Sequence, residues 1–143
     1  KQMIIATLYG YSGASAMAGD YVADERLIAA AIMRMRTMGN IPYFITTDLN
    51  VDPAVSKILQ LAINSDIAYD NTDDAFGGTP PPTFASGGIT THMEGPGTSR
   101  IDAVIGNAAA AHTCNRVSYL HQDNAAFDHV PLSNSASSRI QLQ

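Results

Sequence analysis

The chain has 143 residues, 45% apolar and 15% charged, with a net charge of −5. That length suits one domain, able to bury ~68–70% of the surface its unfolded form exposes, and the composition excludes intrinsic disorder. Eight Lys and Arg against thirteen Asp and Glu argue against gripping nucleic acid by bulk charge alone, yet leave room for an enzyme that gathers carboxylates around a cation.

The longest strictly apolar run, residues 27–33, is far short of a membrane span of ~20 residues, so no membrane partner is expected. The single cysteine, Cys114, permits no internal disulfide. With no N-glycosylation sequon and no leader-like opening, an intracellular location is favoured, the compartment being otherwise undefined.

In chain order, Met3-Ile4-Ile5-Ala6-Thr7-Leu8-Tyr9 reads as a buried strand that needs a neighbour or a cover. Residues 10–19 read as a Gly/Ser/Ala loop. Residues 20–38 predict the strongest helix: Asp20 caps it, Ile28, Ala31, Ile32, Met35 and Met38 share one face, and Gly39-Asn40 stops it. Asp24 and Glu25 near its start, with Arg34 and Arg36 near its end, suit the helix dipole.

Residues 41–46 predict a strand, followed by Asp48 and Asn50 at its C-terminal end, and residues 54–63 a helix opened by Asp52-Pro53. This strand–helix alternation indicates a layered α/β protein. Residues 64–99 read mostly as loop, with Thr83-Phe84-Ala85 as a short strand inside it. Residues 100–105 and 114–120 predict strands, residues 107–111 are ambiguous, 121–129 a polar loop, 130–133 extended, and 139–142 a last strand. Neither a P-loop nor a G-x-G-x-x-G opening a helix is present.

Three polar pairs stand on or just after apolar strands: Asp48 with Asn50, Arg100 with Asp102, and Asp128 with His129. A strand end presents a carboxylate to a cleft while holding it rigidly, as hard-cation ligands require. A His held by a carboxylate can act on a phosphate or a water. Each pair also has an ordinary reading: a turn or helix cap, a polar strand face, a loop. Arg100 can reach a phosphate or pair with a nearby Asp. The run from Asp70 to Asp74 lacks the Gly and terminal Glu of a calcium loop and reads as a solvated turn, and His112-x-Cys114 has no second pair to complete a zinc site.

Taken in order, the pairs resemble the C-terminal part of the endonuclease/exonuclease/phosphatase superfamily, the deoxyribonuclease-I-like and apurinic-endonuclease-like fold. Residues 3–9 are similar to its strand ending in Tyr. Ile45-Thr46-Thr47-Asp48-Leu49-Asn50-Val51-Asp52-Pro53 resembles its Gly-Asp-x-Asn block, Ser99-Arg100-Ile101-Asp102 its Ser-Arg-Ile-Asp block, Phe127-Asp128-His129-Val130-Pro131 its Ser-Asp-His-x-Pro block, and Pro82-Thr83-Phe84 its Thr-aromatic segment.

The resemblance implies an α/β/β/α four-layer sandwich, of which residues 1–143 would form a partial domain, the C-terminal half to two-thirds. It implies in-line hydrolysis of a phosphodiester or phosphomonoester, with Mg²⁺ (Mn²⁺ as a substitute) as cofactor. Tyr9, Asp48, Asn50, Asp102 and His129 would be catalytic. Asp48, Asn50 and Asp128 would hold the metal, and Tyr9, Asn50, Arg100 and His129 would contact the substrate phosphate. Asp48 would orient the water or protonate the leaving oxygen, and Asp102 would hold His129.

The implied activity is endonuclease-like nicking of DNA within a longer protein, for example one of retroelement type. The alternatives are a phosphatase for inositol phosphates, lipids or nucleotides, and an inactive fragment or binding module. The sequence departs from the family at Thr47, where a Gly is usual, at Gly10-Tyr11, where x-Pro is usual, and at Phe127, where Ser is usual. Its only glutamates, Glu25 and Glu94, both follow Tyr9, so neither matches the family's metal-binding Glu. The missing N-terminal half is thus an expected partner, and the isolated chain is expected to hold a cation weakly.

Overall fold

The computed structural model describes residues 2–11, 19–85, 98–119 and 132–136. The elements run β1 (Ile4–Tyr9), α1 (Gly19–Arg36), β2 (Tyr43–Asp48), α2 (Lys57–Asn64), β3 (Tyr69–Asp70), α3 (Asn71–Ala75), β4 (Phe84–Ala85), β5 (Thr98–Ser99), β6 (Asp102–Gly106), α4 (Ala108–Ala111), β7 (Cys114–Tyr119) and β8 (Leu132–Ala136). The main sheet has the order β1-β2-β6-β3, and β4-β5 and β7-β8 form separate antiparallel pairs. Parallel β1 and β2 need a crossover, which α1 supplies; β6 runs antiparallel to both β2 and β3.

The two faces of the sheet are built differently. Ile4, Ala6 and Leu8 of β1, Tyr43 and Ile45 of β2, and Ala103 and Ile105 of β6 meet Ile28, Ile32 and Met35 of α1 and Leu59 and Ala62 of α2 in one apolar core. On the other face, Phe44 and Val104 pack with Ala110 and Val117, beneath α4 and β7. Because side chains alternate along a strand, Ile5, Thr7 and Tyr9 also project to this second face. Ile5 and Tyr9 are each 66% exposed there.

Polar side chains lock the helices into place. Glu25 of α1 caps α2 from outside: one carboxylate oxygen accepts the Ser56 hydroxyl (2.6 Å) and the other the Ile58 amide (2.8 Å). The Ser56 hydroxyl in turn accepts the Leu59 amide. Asn107 caps α4 and joins it to β2, its Oδ1 accepting from the Tyr43 and Ala110 amides and its Nδ2 donating to the Gly39 and Ile41 carbonyls.

Some boundaries differ from the sequence reading. Asp20 lies inside α1 rather than capping it, and α2 begins after the Ser56 cap. The segment 64–99 is not only loop: it contains β3 and α3, because buried Asp70 accepts the Thr72 and Asp73 amides and starts the short helix. The ambiguous stretch 107–111 is α4 with its cap. The predicted strand at 139–142 and polar loop at 121–129 lie outside the described residues. Among the described residues no helix is long and apolar enough to cross a membrane.

Candidate active site

Sheet register brings the first three candidate residues together. Tyr9 is the β2 partner of Asp48, and Asp48 is the β6 partner of Asp102. The three therefore form one row across three adjacent strands, on one face. The Leu49 amide donates to the Ile101 carbonyl at 2.8 Å, so the neighbouring 48/102 position is a non-hydrogen-bonded pair. Such pairs set their Cα atoms only ~4.5 Å apart. Two carboxylates thus spring from directly opposed backbone positions.

Asn50 closes the row. Its backbone is left-handed (φ 53), a conformation Asn tolerates better than most residues. Its amide donates to the Asp48 Oδ1 at 3.4 Å, and its side-chain Nδ2 donates to the Gly10 carbonyl at 3.3 Å. One Nδ2 hydrogen is thus used by the turn after β1. Gly10 must be Gly: an added Cβ would lie 2.4 Å from the Leu49 carbonyl oxygen.

Thr83 supports the row from behind. It is fully buried, and its hydroxyl accepts the Ile101 amide (3.1 Å) and the Asp102 amide (3.0 Å), fixing the backbone at the head of β6. Thr47, where the resembled family has a Gly, projects to the helix side. There it is buried and its hydroxyl bonds the Ala103 carbonyl and amide, so this departure lies on the face opposite the row.

Arg100 is drawn elsewhere. Its guanidinium is buried and paired with Asp70, with Asp73 a further 3.7 Å contact, in the wall of a cavity of about 300 Å³ that also involves Asp66 and Asp74. Of its two sequence readings, the structure displays the ion pair. Burial, and then the Asp70 and Asp73 charges, push the Asp74 carboxyl above its ordinary value. Asp128 and His129 lie outside the described residues.

The donor chemistry at the row suits Mg²⁺. Of the expected ligands, Asp48 and the Asn50 side-chain carbonyl offer hard oxygens, and Mg²⁺ binds through one or two carboxylates while keeping several waters. Among the described residues no group of three or more His, Cys, Asp or Glu side chains could hold a metal ion. Glu25 is spent on α2, and Glu94 lies outside the described residues.

Sequence reasoning missed the parts played by Thr83, Asn107 and Asp24. Asp24 carried a usable signal: it falls on the stripe of α1 otherwise filled by Tyr21, Ile28, Ile32 and Met35, where an acidic residue is out of place.

No family model matches the sequence, and no curated protein sequence is similar to it. Solved structures do share the architecture. The Neisseria 3′ phosphatase NExo, bound to a product DNA hairpin, matches 94% of this chain with a TM-score of 0.65 at 14% identity. The human Nocturnin catalytic domain, with a bound sulfate anion, matches 90% with a TM-score of 0.52 at 15% identity. The fold is therefore deoxyribonuclease-I-like, that of the endonuclease/exonuclease/phosphatase superfamily to which both neighbours belong. The chain spans 61% of the first neighbour's length and 46% of the second's.

Proposed function

We propose that the chain forms part of a divalent-cation-dependent phosphate-ester hydrolase acting on nucleic acid, by phosphodiester cleavage. The observation that supports this most is the strand register, which puts Tyr9, Asp48 and Asp102 side by side with Asn50 just beyond the row. In this reading the Tyr9 hydroxyl and the second Asn50 amide hydrogen donate to phosphate oxygens, where charge builds up during attack. Asp48 orients the attacking water or protonates the leaving oxygen. Asp102, held by Thr83, fixes His129, and Asp128 adds a metal ligand. Bound Mg²⁺ supplies neutralisation of phosphate charge when present. DNA is the proposed partner, together with a preceding segment that would complete the domain.

A second reading, hydrolysis of a 3′ phosphomonoester, is favoured by the likeness to the Neisseria 3′ phosphatase. Both are tested together on the longest natural reading frame containing these residues, with Mg²⁺ and either supercoiled plasmid or a 3′-phosphorylated hairpin. Nicking lost in Asp48→Ala supports the first reading. Phosphate release without nicking supports the second. Turnover of neither substrate, in a folded protein, leaves a binding module.

A further inference from the structure

Asp24 is 1% exposed and sits on the core side of α1. A carboxylate removed from water is costly unless hydrogen bonds replace its hydration. Here only one oxygen is served: Oδ1 accepts the Tyr11 amide at 2.7 Å, while Oδ2 has no partner among the described residues. No apolar residue would carry that cost at this position, yet none could take the Tyr11 amide.

That amide belongs to the turn leaving β1, which is gripped from two more sides. The Gly10 amide donates to the Asp48 carbonyl at 2.7 Å, and the Gly10 carbonyl accepts from Asn50 Nδ2 at 3.3 Å. The fit is so close that a Cβ on Gly10 would lie 3.1 Å from Asp24 Oδ1 as well as 2.4 Å from the Leu49 carbonyl oxygen. Tyr9-Gly10-Tyr11 and Asp48-Leu49-Asn50 thus form one clamp, and Asp24 is its anchor in the helix layer.

We infer that Asp24 is a positioning residue for the site: by holding Tyr11 it seats Gly10 against Asn50 and so sets the Asn50 amide and the Tyr9 hydroxyl at a fixed spacing around the phosphate. This rests on the hydrolase reading for its consequence, but not for its geometry.

The test compares Asp24→Leu with Asp24→Asn, whose side-chain oxygen can still accept, in the same full reading frame. In Asp24→Leu the Tyr11 amide should exchange about tenfold faster. The Asn50 side-chain NH₂ resonance should shift. Displacing groups around a reacting phosphate should lower kcat by roughly ten- to a hundredfold, with KM nearly unchanged. Asp24→Asn should restore all three. Where Asp24→Leu fails to fold, Asp24→Ser, too short to reach the amide, carries the same readouts.

The inference is overturned if the shortened or apolar variant keeps Tyr11 protection and an unmoved Asn50 signal, or if Asp24→Asn and Asp24→Leu lose activity equally in step with melting temperature. If the wild type hydrolyses no phosphate ester, the hydrolase reading fails. The exchange and Asn50 readouts then still decide the clamp.

Discussion

Thr47 and Asp48 are neighbours on one strand, yet they belong to two different molecules in physical terms. Thr47 faces the helices, buried and bonded across to Ala103; Asp48 faces the other way, beside Tyr9 and Asp102. The helix face is closed by apolar packing of α1 and α2. On the opposite face the described residues pack around Phe44 and Val104, while Tyr9 is 66% exposed and Asp48 and Asp102 are half-buried. The difference teaches a division of labour. One face contributes the main apolar core, and the other carries the candidate site's polar row.

The comparison breaks most visibly at Asp48. Asp48→Asn should reduce phosphate-ester hydrolysis by at least about a hundredfold. The change is isosteric, so in chelator the variant should melt within about 1 kcal/mol of wild type. Added Mg²⁺ should raise the melting temperature of wild type and not of the variant. A variant that is both inactive and strongly destabilised would place Asp48 with the structural residues.

On the closed part of the same face, Phe44→Ala should cost about 3–5 kcal/mol in denaturant unfolding, since Phe44 is fully buried against Val104, Ala110 and Val117. Asn107→Ala should cost at least about 2 kcal/mol, because two amides and two carbonyls lose a partner together.

The smallest effect concerns pH. Burial holds the Asp24 carboxyl above its ordinary 3.8, against the lowering effect of the Tyr11 amide, with the Asp20 and Glu25 charges adding to the rise. The folded state therefore takes up this proton at higher pH than the unfolded state does. As pH falls from neutral towards 3.8, wild type should gain stability relative to Asp24→Asn, and the difference should level off below that value. A difference that is flat with pH would place the carboxyl in a watery setting.

Much of the layered order was legible because it is written in local periodicity. Residues 4–9 and 43–48 are apolar enough to be strands, and Ile28, Ile32 and Met35 mark the buried stripe of α1. The polar pairs were legible as residue types at strand ends. Their alignment was not, because the register that sets Tyr9 beside Asp48 and Asp48 beside Asp102 is a tertiary fact. The same holds for β3 and α3: a segment rich in Asp, Asn and Thr reads as loop until Asp70 is seen capping a helix and pairing with Arg100. Asp24 reads as a dipole partner until its burial is known. Asp128 and His129 were named from the motif alone and stay a proposal.

The central claim is that the cation-responsive place is the polar row and not the acidic cavity around Asp66, Asp70, Asp73 and Asp74. Paramagnetic broadening of a ¹⁵N-labelled protein during a Mn²⁺ titration tests it without any need for turnover. The amides of Tyr9, Asp48, Asn50 and Asp102 should broaden first and recover on adding excess Mg²⁺. Broadening that begins at Asp70, Asp73 and Asp74 while the row stays sharp would contradict the account.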